Sequence, residues 1–268
     1  MTTKILRDIV YTDHATGPLK LDLYLPTGIR GPCPVVVWLS GGGWRGGGKD
    51  LFPDPWFIDC GIAIAAIDYR LSSVGIFPAA MDDVQTAICW VRAHAREYRL
   101  DPARVGAWGG SAGAHLAALI GTSAGVKKWA VPAHLADQPR AVQAVCDVNG
   151  PTLLSRMADP ALKTQYPILY DVTSLFLGGP VEEKLTLAAE ASPLTYVHAG
   201  CPPFQIFQGT ADDIVPFEEG ILLRDALQKV GVPVEFNAMQ GEGHSYTQPA
   251  IEEMNRKTQD FFVRVLKP

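Results

Sequence analysis

No stretch of this 268-residue chain is apolar for long enough to cross a bilayer. Its amino terminus, Met1-Thr2-Thr3-Lys4-Ile5-Leu6-Arg7-Asp8, also lacks the long apolar segment of a signal peptide. The expectation is a cytoplasmic protein with no membrane partner. Positive charge is not in excess: 23 Lys and Arg face 28 Asp and Glu, a net charge of −5, and no basic run interrupts that balance. Nucleic acid therefore has no electrostatic reason to bind. Cysteine is sparse. Cys33, Cys60, Cys89, Cys146 and Cys201 are odd in number, scattered and without metal-ligand spacing, which reads as buried thiols rather than a disulfide framework or a metal site. Repeats, low-complexity segments and linkers are missing too, so residues 1–268 read as a single domain. What remains is an ordinary globular composition, 47% hydrophobic and 19% charged, long enough to enclose a substantial core.

The apolar pattern then places the elements. Asp8-Ile9-Val10-Tyr11 and the alternating Leu19–Tyr24 flank Ala15-Thr16-Gly17-Pro18, whose turn chemistry predicts an antiparallel pair at a sheet edge. Pro34–Leu39 and Ile62–Tyr69 are continuous apolar runs, the mark of strands covered on both faces. Helical spacing follows from Pro78 to Tyr98, with Asp82 and Asp83 in its first turns. Further strands are expected at Arg104–Trp108, Ala141–Cys146, Phe204–Phe207 and Val234–Met239. Helices are expected at Ala112–Ile120, Glu218–Val230 and Ile251–Leu266. Alternation of this kind predicts an α/β fold with a mostly parallel eight-stranded sheet and helices on both faces. Residues 149–197 are the least regular, with proline and glycine among short helical pieces carrying Leu153, Met157, Tyr166, Ile168, Leu169 and Phe176. That segment is expected to be a helical insertion that forms a lid or a substrate pocket, or else packs on the sheet.

Trp108-Gly109-Gly110-Ser111-Ala112-Gly113 contains Gly-x-Ser-x-Gly between an expected strand and an expected helix. A serine on such a sharp turn is pushed outward with its hydroxyl exposed, and crowded backbones require small neighbours at Gly109 and Gly113. A hydroxyl is a weak nucleophile until a base takes its proton and a third group orients the base. Of six histidines, only His244 lies in a glycine-rich loop directly after the last expected strand, in Gly241-Glu242-Gly243-His244-Ser245. His115, one helical turn past Ser111, reads as a packing residue. Gln208-Gly209-Thr210-Ala211-Asp212-Asp213 follows the preceding strand and offers two carboxylates. Asp212 is preferred because the turn after Gly209 aims it back toward the histidine, whereas Asp213 faces solvent or caps a turn. Ser40-Gly41-Gly42-Gly43-Trp44 follows an earlier strand, and its glycines allow backbone N–H groups to reach a developing oxyanion. The amide of Ala112 supplies another such donor. Gly46-Gly47-Gly48-Lys49-Asp50 lacks the Lys-Ser/Thr ending of a phosphate-binding loop.

Together with Asp68-Tyr69-Arg70-Leu71 and Phe77-Pro78-Ala79-Ala80-Met81-Asp82-Asp83, these motifs resemble, in order and over nearly the whole chain, the α/β-hydrolases of the hormone-sensitive-lipase-like and bifunctional feruloyl-esterase-like groups. The resemblance implies a triad of Ser111, Asp212 and His244, with oxyanion donors among Gly41, Gly42, Gly43 and Ala112. Two positions depart from the pattern: Ser40 and Gln208 stand where such proteins usually carry histidine. The glycine triplet also arrives by residue 41, leaving no room before it for a long cap. The implied activity is a serine carboxylic-ester hydrolase acting through an acyl-enzyme on short acyl or aryl esters, with no metal and no organic cofactor. An arylformamidase is the alternative chemistry. A non-catalytic ligand-binding protein on the same scaffold, as in plant gibberellin receptors, is the alternative class. The expected partner is a small-molecule ester, and a homodimer is compatible with the sequence.

Overall fold

The computed structural model describes residues 2–52 and 55–267, without the side chains of residues 55–57. Among these described residues, eight strands run as β1 (Thr3–His14), β2 (Gly17–Pro26), β3 (Cys33–Leu39), β4 (Ala63–Ile67), β5 (Leu100–Gly110), β6 (Ala144–Val148), β7 (Phe204–Gly209) and β8 (Val234–Met239). They form one sheet in the order β1-β2-β4-β3-β5-β6-β7-β8. β2 is antiparallel to both β1 and β4, and every later neighbour is parallel. Helices are α1 (Ala79–Ala93), α2 (Ala95–Tyr98), α3 (Ala112–Thr122), α4 (Pro160–Gln165), α5 (Pro167–Leu177), α6 (Leu185–Glu190), α7 (Phe217–Lys229) and α8 (Gln248–Leu266).

Parallel strands need crossover connections, and the crossover helices cover both sheet faces. β3 shows the consequence: all seven residues are buried, yet they divide by the period of two. Val35, Val37 and Leu39 enter one core with Val84 of α1, Leu116 of α3 and Leu223 of α7. Val36 and Trp38 enter the other, with Phe261, Phe262 and Leu266 of α8. The packing there is tight enough that a Cβ on Gly106 of β5 would lie 2.7 Å from the Phe262 ring.

The expected α/β architecture is the one observed, with differences at several element boundaries. β1 extends well beyond Asp8–Tyr11, because register shifts between Leu6 and Ile9 and between Val10 and Thr12 break the alternation that marks a strand. β6 is displaced from the expected Ala141–Cys146 to Ala144–Val148. The carbonyls of Pro139 and Ala141 are taken by the Arg92 guanidinium instead, at 2.9 and 2.5 Å. The expected helix to Tyr98 is divided at His94, whose imidazole bonds the Trp90 carbonyl at 2.9 Å and stacks on the Trp90 ring. Residues 149–197 contain α4, α5 and α6 joined by short turns. Their apolar residues split two ways: Leu154, Met157 and Phe176 are buried in the core, whereas exposed Ile168 opens onto a cavity with Leu169 and Val172.

Candidate active site

The sheet delivers three side chains to its carboxyl edge, where the loops of a parallel sheet converge. The β5–α3 turn holds Ser111 at φ 55° and ψ −121°, a conformation that costs a non-glycine residue about 1–3 kcal/mol. The surroundings enforce it. The Ser111 amide donates to the Val148 carbonyl at 2.8 Å, and its own carbonyl accepts from the His115 amide at 2.9 Å. A Cβ on Gly109 would lie 2.4 Å from the backbone of Gly113, and one on Gly113 would lie 2.1 Å from the Leu39 oxygen. Both glycines are steric requirements of the turn.

His244, in the loop after β8, places Nε2 3.0 Å from Ser111 Oγ and Nδ1 2.8 Å from Asp212 Oδ2. Asp212 is buried in the turn after β7, and its Oδ1 accepts from the amides of Ile214 and Val215 at 2.9 Å each. Its Oδ2 also receives Gln208 Nε2 at 3.3 Å. The carboxylate therefore fixes Nδ1–H as donor and leaves the Nε2 lone pair facing the serine hydroxyl. Asp213 is exposed and takes no part. Gly209 lets the two loops meet, since a Cβ there would lie 2.5 Å from the carbonyl oxygens of Glu242 and Gly243.

The glycine loop after β3 closes over this serine. Gly42, at φ 119°, and Gly43, at φ 60°, line a cavity of about 300 Å³ with Ser111, Ala112 and His244. The Ala112 amide, first of α3, has no carbonyl within its own helix to bond. Gly41 has a different place: its Cβ would lie 2.9 Å from the Gly110 oxygen and 3.4 Å from Ser111 Cβ, so it spaces the loop against the serine turn. Gly43 makes the same kind of contact with α5, where a Cβ would lie 2.8 Å from Val172 Cγ1.

Buried polar bonds hold that loop. Tyr69 donates its hydroxyl to the Ser40 carbonyl at 2.8 Å. Trp44 Nε1–H donates to His115 Nδ1 at 3.2 Å, and His115 Nε2–H donates to the Ala191 carbonyl at 2.7 Å. Burial pushes the His115 pKa down to about 4, which keeps the ring neutral and able to accept and donate at once. Lys49 is buried beyond the glycines. Its desolvation favours the neutral amine, but bonds to Asp22, Asp50 and Asp8 outweigh that and raise its pKa.

The two departures at Ser40 and Gln208 both sit in buried positions. Gln208 supplies the Asp212 bond and donates to the Val215 carbonyl at 3.3 Å. Among the described residues, Ser40 Oγ and Gln208 Oε1 have no hydrogen-bond partner. Two further residues, Asn149 and Glu219, were not apparent in the sequence. Asn149 Nδ2 donates to the His244 carbonyl at 3.0 Å. Its Oδ1 accepts from the Gly209 amide at 3.0 Å and the Tyr246 hydroxyl at 2.7 Å. Glu219, in α7, accepts from the amides of Thr152 and Leu153 and from Arg156, fixing the chain beside Pro151 at the cavity wall. Asp83 is no simple helix-terminus charge: it binds the Arg70 guanidinium and His14.

Sheet order, serine turn and the three converging loops are those of an α/β-hydrolase fold. Residues 21–227 match the model of the BD-FAE family, and the chain belongs to that family. A similar curated protein is the probable carboxylic ester hydrolase LipM of Mycobacterium tuberculosis, 29% identical over 81% of this chain and 50% of LipM. Butyrate-bound esterase 2 of Thermogutta terrifontis is similar in structure, with a TM-score of 0.80 and 28% identity over 98% of this chain and 94% of that one. A truncated carbohydrate esterase from gut microbiota shares the fold at TM-score 0.85 and 24% identity, over 99% and 97% of the two chains. The chain spans about half the length of the first curated relatives it matches. Among the described residues, no helix is long and apolar enough to cross a membrane.

Proposed function

We propose that this protein is a serine carboxylic-ester hydrolase that works through an acyl-enzyme on short-chain acyl or aryl esters. The observation that carries the reading is the continuous relay from Ser111 Oγ through His244 to Asp212, with contacts of 3.0 and 2.8 Å. Ser111 Oγ attacks the ester carbonyl while its proton passes to His244 Nε2. Asp212 holds the ring in the required tautomer and stabilises the imidazolium. The amides of Gly42, Gly43 and Ala112 receive the negative charge on the carbonyl oxygen, each such donor being worth about 10²–10³ in rate. Collapse of the intermediate breaks the carbon–alkoxy bond, and the departing alcohol takes the proton from Nε2. Water then repeats the sequence on the acyl-serine and releases the acid.

The cavity beside the glycine loop is small and apolar, walled by Pro151, Leu169 and Val172. Such a space suits a short acyl chain. The family and the esterases it resembles support the same chemistry, and Thermogutta terrifontis esterase 2 is a protein phosphorylated by paraoxon. The test is hydrolysis of p-nitrophenyl acetate, butyrate and octanoate by wild type and Ser111→Ala. Turnover that favours the short esters and falls roughly 10⁴-fold or more in the variant is expected. A folded Ser111→Ala protein that keeps most of its activity refutes the mechanism.

A further inference from the structure

Ser111 and His244 line a second cavity as well, of about 290 Å³, on the side of the serine where Gly41 and Gly110 lie. Its floor is Trp38 and Trp108, which face one another in register on the adjacent parallel strands β3 and β5. Met254 of α8 and Val148 at the end of β6 complete a largely apolar lining. The Trp38 ring meets the Phe52 ring at 5.4 Å, so the floor is backed by further aromatic packing.

The glycine at position 110 is the unexplained part. Gly109 and Gly113 are demanded by backbone contacts, and Gly41 by its approach to the serine turn. Gly110 is not. It is absent from the left-handed positions, and a Cβ built on it would meet nothing within 4 Å. Folding would gain from alanine here, because glycine surrenders more backbone freedom on ordering. The space that a side chain would fill is the space beside the nucleophile.

Resting on the ester-hydrolase reading above, we propose that this second cavity is a subsite for a flat aromatic ring carried by the ester, and that Gly110 sets its size. The two indoles give the ring an aromatic floor, Met254 gives it a polarizable sulfur contact, and the reacting carbonyl remains between Ser111 and the amides of Gly42, Gly43 and Ala112. The ring enters on either side of the ester bond: on the acyl side in methyl benzoate, on the alcohol side in benzyl acetate.

The experiment compares kcat/KM for methyl benzoate and for benzyl acetate with that for methyl acetate, in wild type, Gly110→Ala, Gly110→Val and Met254→Trp. The ring-to-methyl ratio is expected to fall about tenfold in Gly110→Ala and further in Gly110→Val, with Met254→Trp moving it the same way. Whichever of the two ring esters loses its advantage identifies the side that occupies the cavity. Ratios that stay at the wild-type value while all rates move together overturn the subsite. A second measurement does not depend on turnover: crystals of Ser111→Ala soaked with each ring ester should show the ring over Trp38 and Trp108. A ring lodged beside Val172 instead, or no ring at saturating ester, overturns the proposal. Absence of any Ser111-dependent hydrolysis, with the ring still over the tryptophans, defeats the ester-hydrolase reading and leaves the subsite standing.

Discussion

Asn149 joins the ends of three strands: its Nδ2 donates to the His244 carbonyl at 3.0 Å, and its Oδ1 receives the Gly209 amide at 3.0 Å. Asn149 itself follows β6, at φ 57°, a backbone position that asparagine tolerates better than most residues. The loop that carries the proposed base is thus fixed to the end of β7, just before the turn that holds the orienting carboxylate of Asp212. Asn149→Ala is expected to lower kcat about 10–10²-fold through misplacement of His244, with KM changed less. It should also cost about 1–3 kcal/mol of stability, since the Tyr246 hydroxyl and the Gly209 amide lose their acceptor. Steady-state kinetics beside urea denaturation checks both. A variant destabilised to that extent but with unaltered kcat would show that Asn149 serves the fold alone.

The Trp44–His115–Ala191 chain predicts a second effect. His115→Phe preserves the ring volume but strands the Trp44 indole N–H and the Ala191 carbonyl, at about 1–3 kcal/mol for each buried group left unpaired. The effect depends on pH with a definite sign. The folded-state pKa of His115, near 4, lies below the ordinary 6.5, so the unfolded chain takes up the proton first. The stability contributed by neutral His115 is complete above pH 6.5 and is lost as pH falls through 4. Urea midpoints of wild type and His115→Phe should therefore converge between pH 7 and pH 4. A gap that stays constant over that range contradicts the assignment.

Asp147 on β6 carries the opposite sign. It is buried, its Oδ1 accepts the Gly150 amide at 2.9 Å, and its Oδ2 has no partner among the described residues. Burial pushes its pKa up to about 7; the Gly150 bond works against that shift, and neighbouring Glu219 adds to it. The folded protein holds this proton where the unfolded chain has released it, so stability from this group is present below pH 3.8 and lost as pH rises through 7. Asp147→Asn fixes the neutral form. Relative to wild type it should gain stability between pH 4 and pH 8. Because Asp147 and His115 act in opposite directions between pH 4 and 6.5, the comparison must be between variants, not read from the wild-type profile. An Asp147→Asn difference that is flat with pH refutes the buried neutral acid.

The sequence conveys the geometry of the candidate triad better than the support beneath it, and the reasons are physical. Ser111, Asp212 and His244 each stand in a local context that betrays them: a crowded turn, a glycine-led loop, the end of a buried strand. Asn149 and Glu219 act across long separations, and nothing in their own neighbourhoods marks them. Glu219 resembles any acidic residue in the first turn of a helix, yet it is buried and anchors Thr152 and Leu153. The displacement of β6 has the same origin, since Arg92, far away in sequence, captures the carbonyls that the apolar pattern assigns to a strand. Gly110 is a different case. Sequence alone groups it with Gly109 as part of a small-residue turn, and only the space around it separates the two.

The most direct measurement of the central claim is intact-mass and peptide analysis of the protein after reaction with paraoxon, alongside residual hydrolysis of p-nitrophenyl acetate. A serine activated by His244 and Asp212 should gain one diethylphosphoryl group, on the peptide containing Ser111, with activity lost in proportion to labelling. Ser111→Ala and His244→Ala should remain unlabelled. An active wild type that takes up no label, or that is labelled elsewhere and loses its activity, would place the nucleophile at another residue.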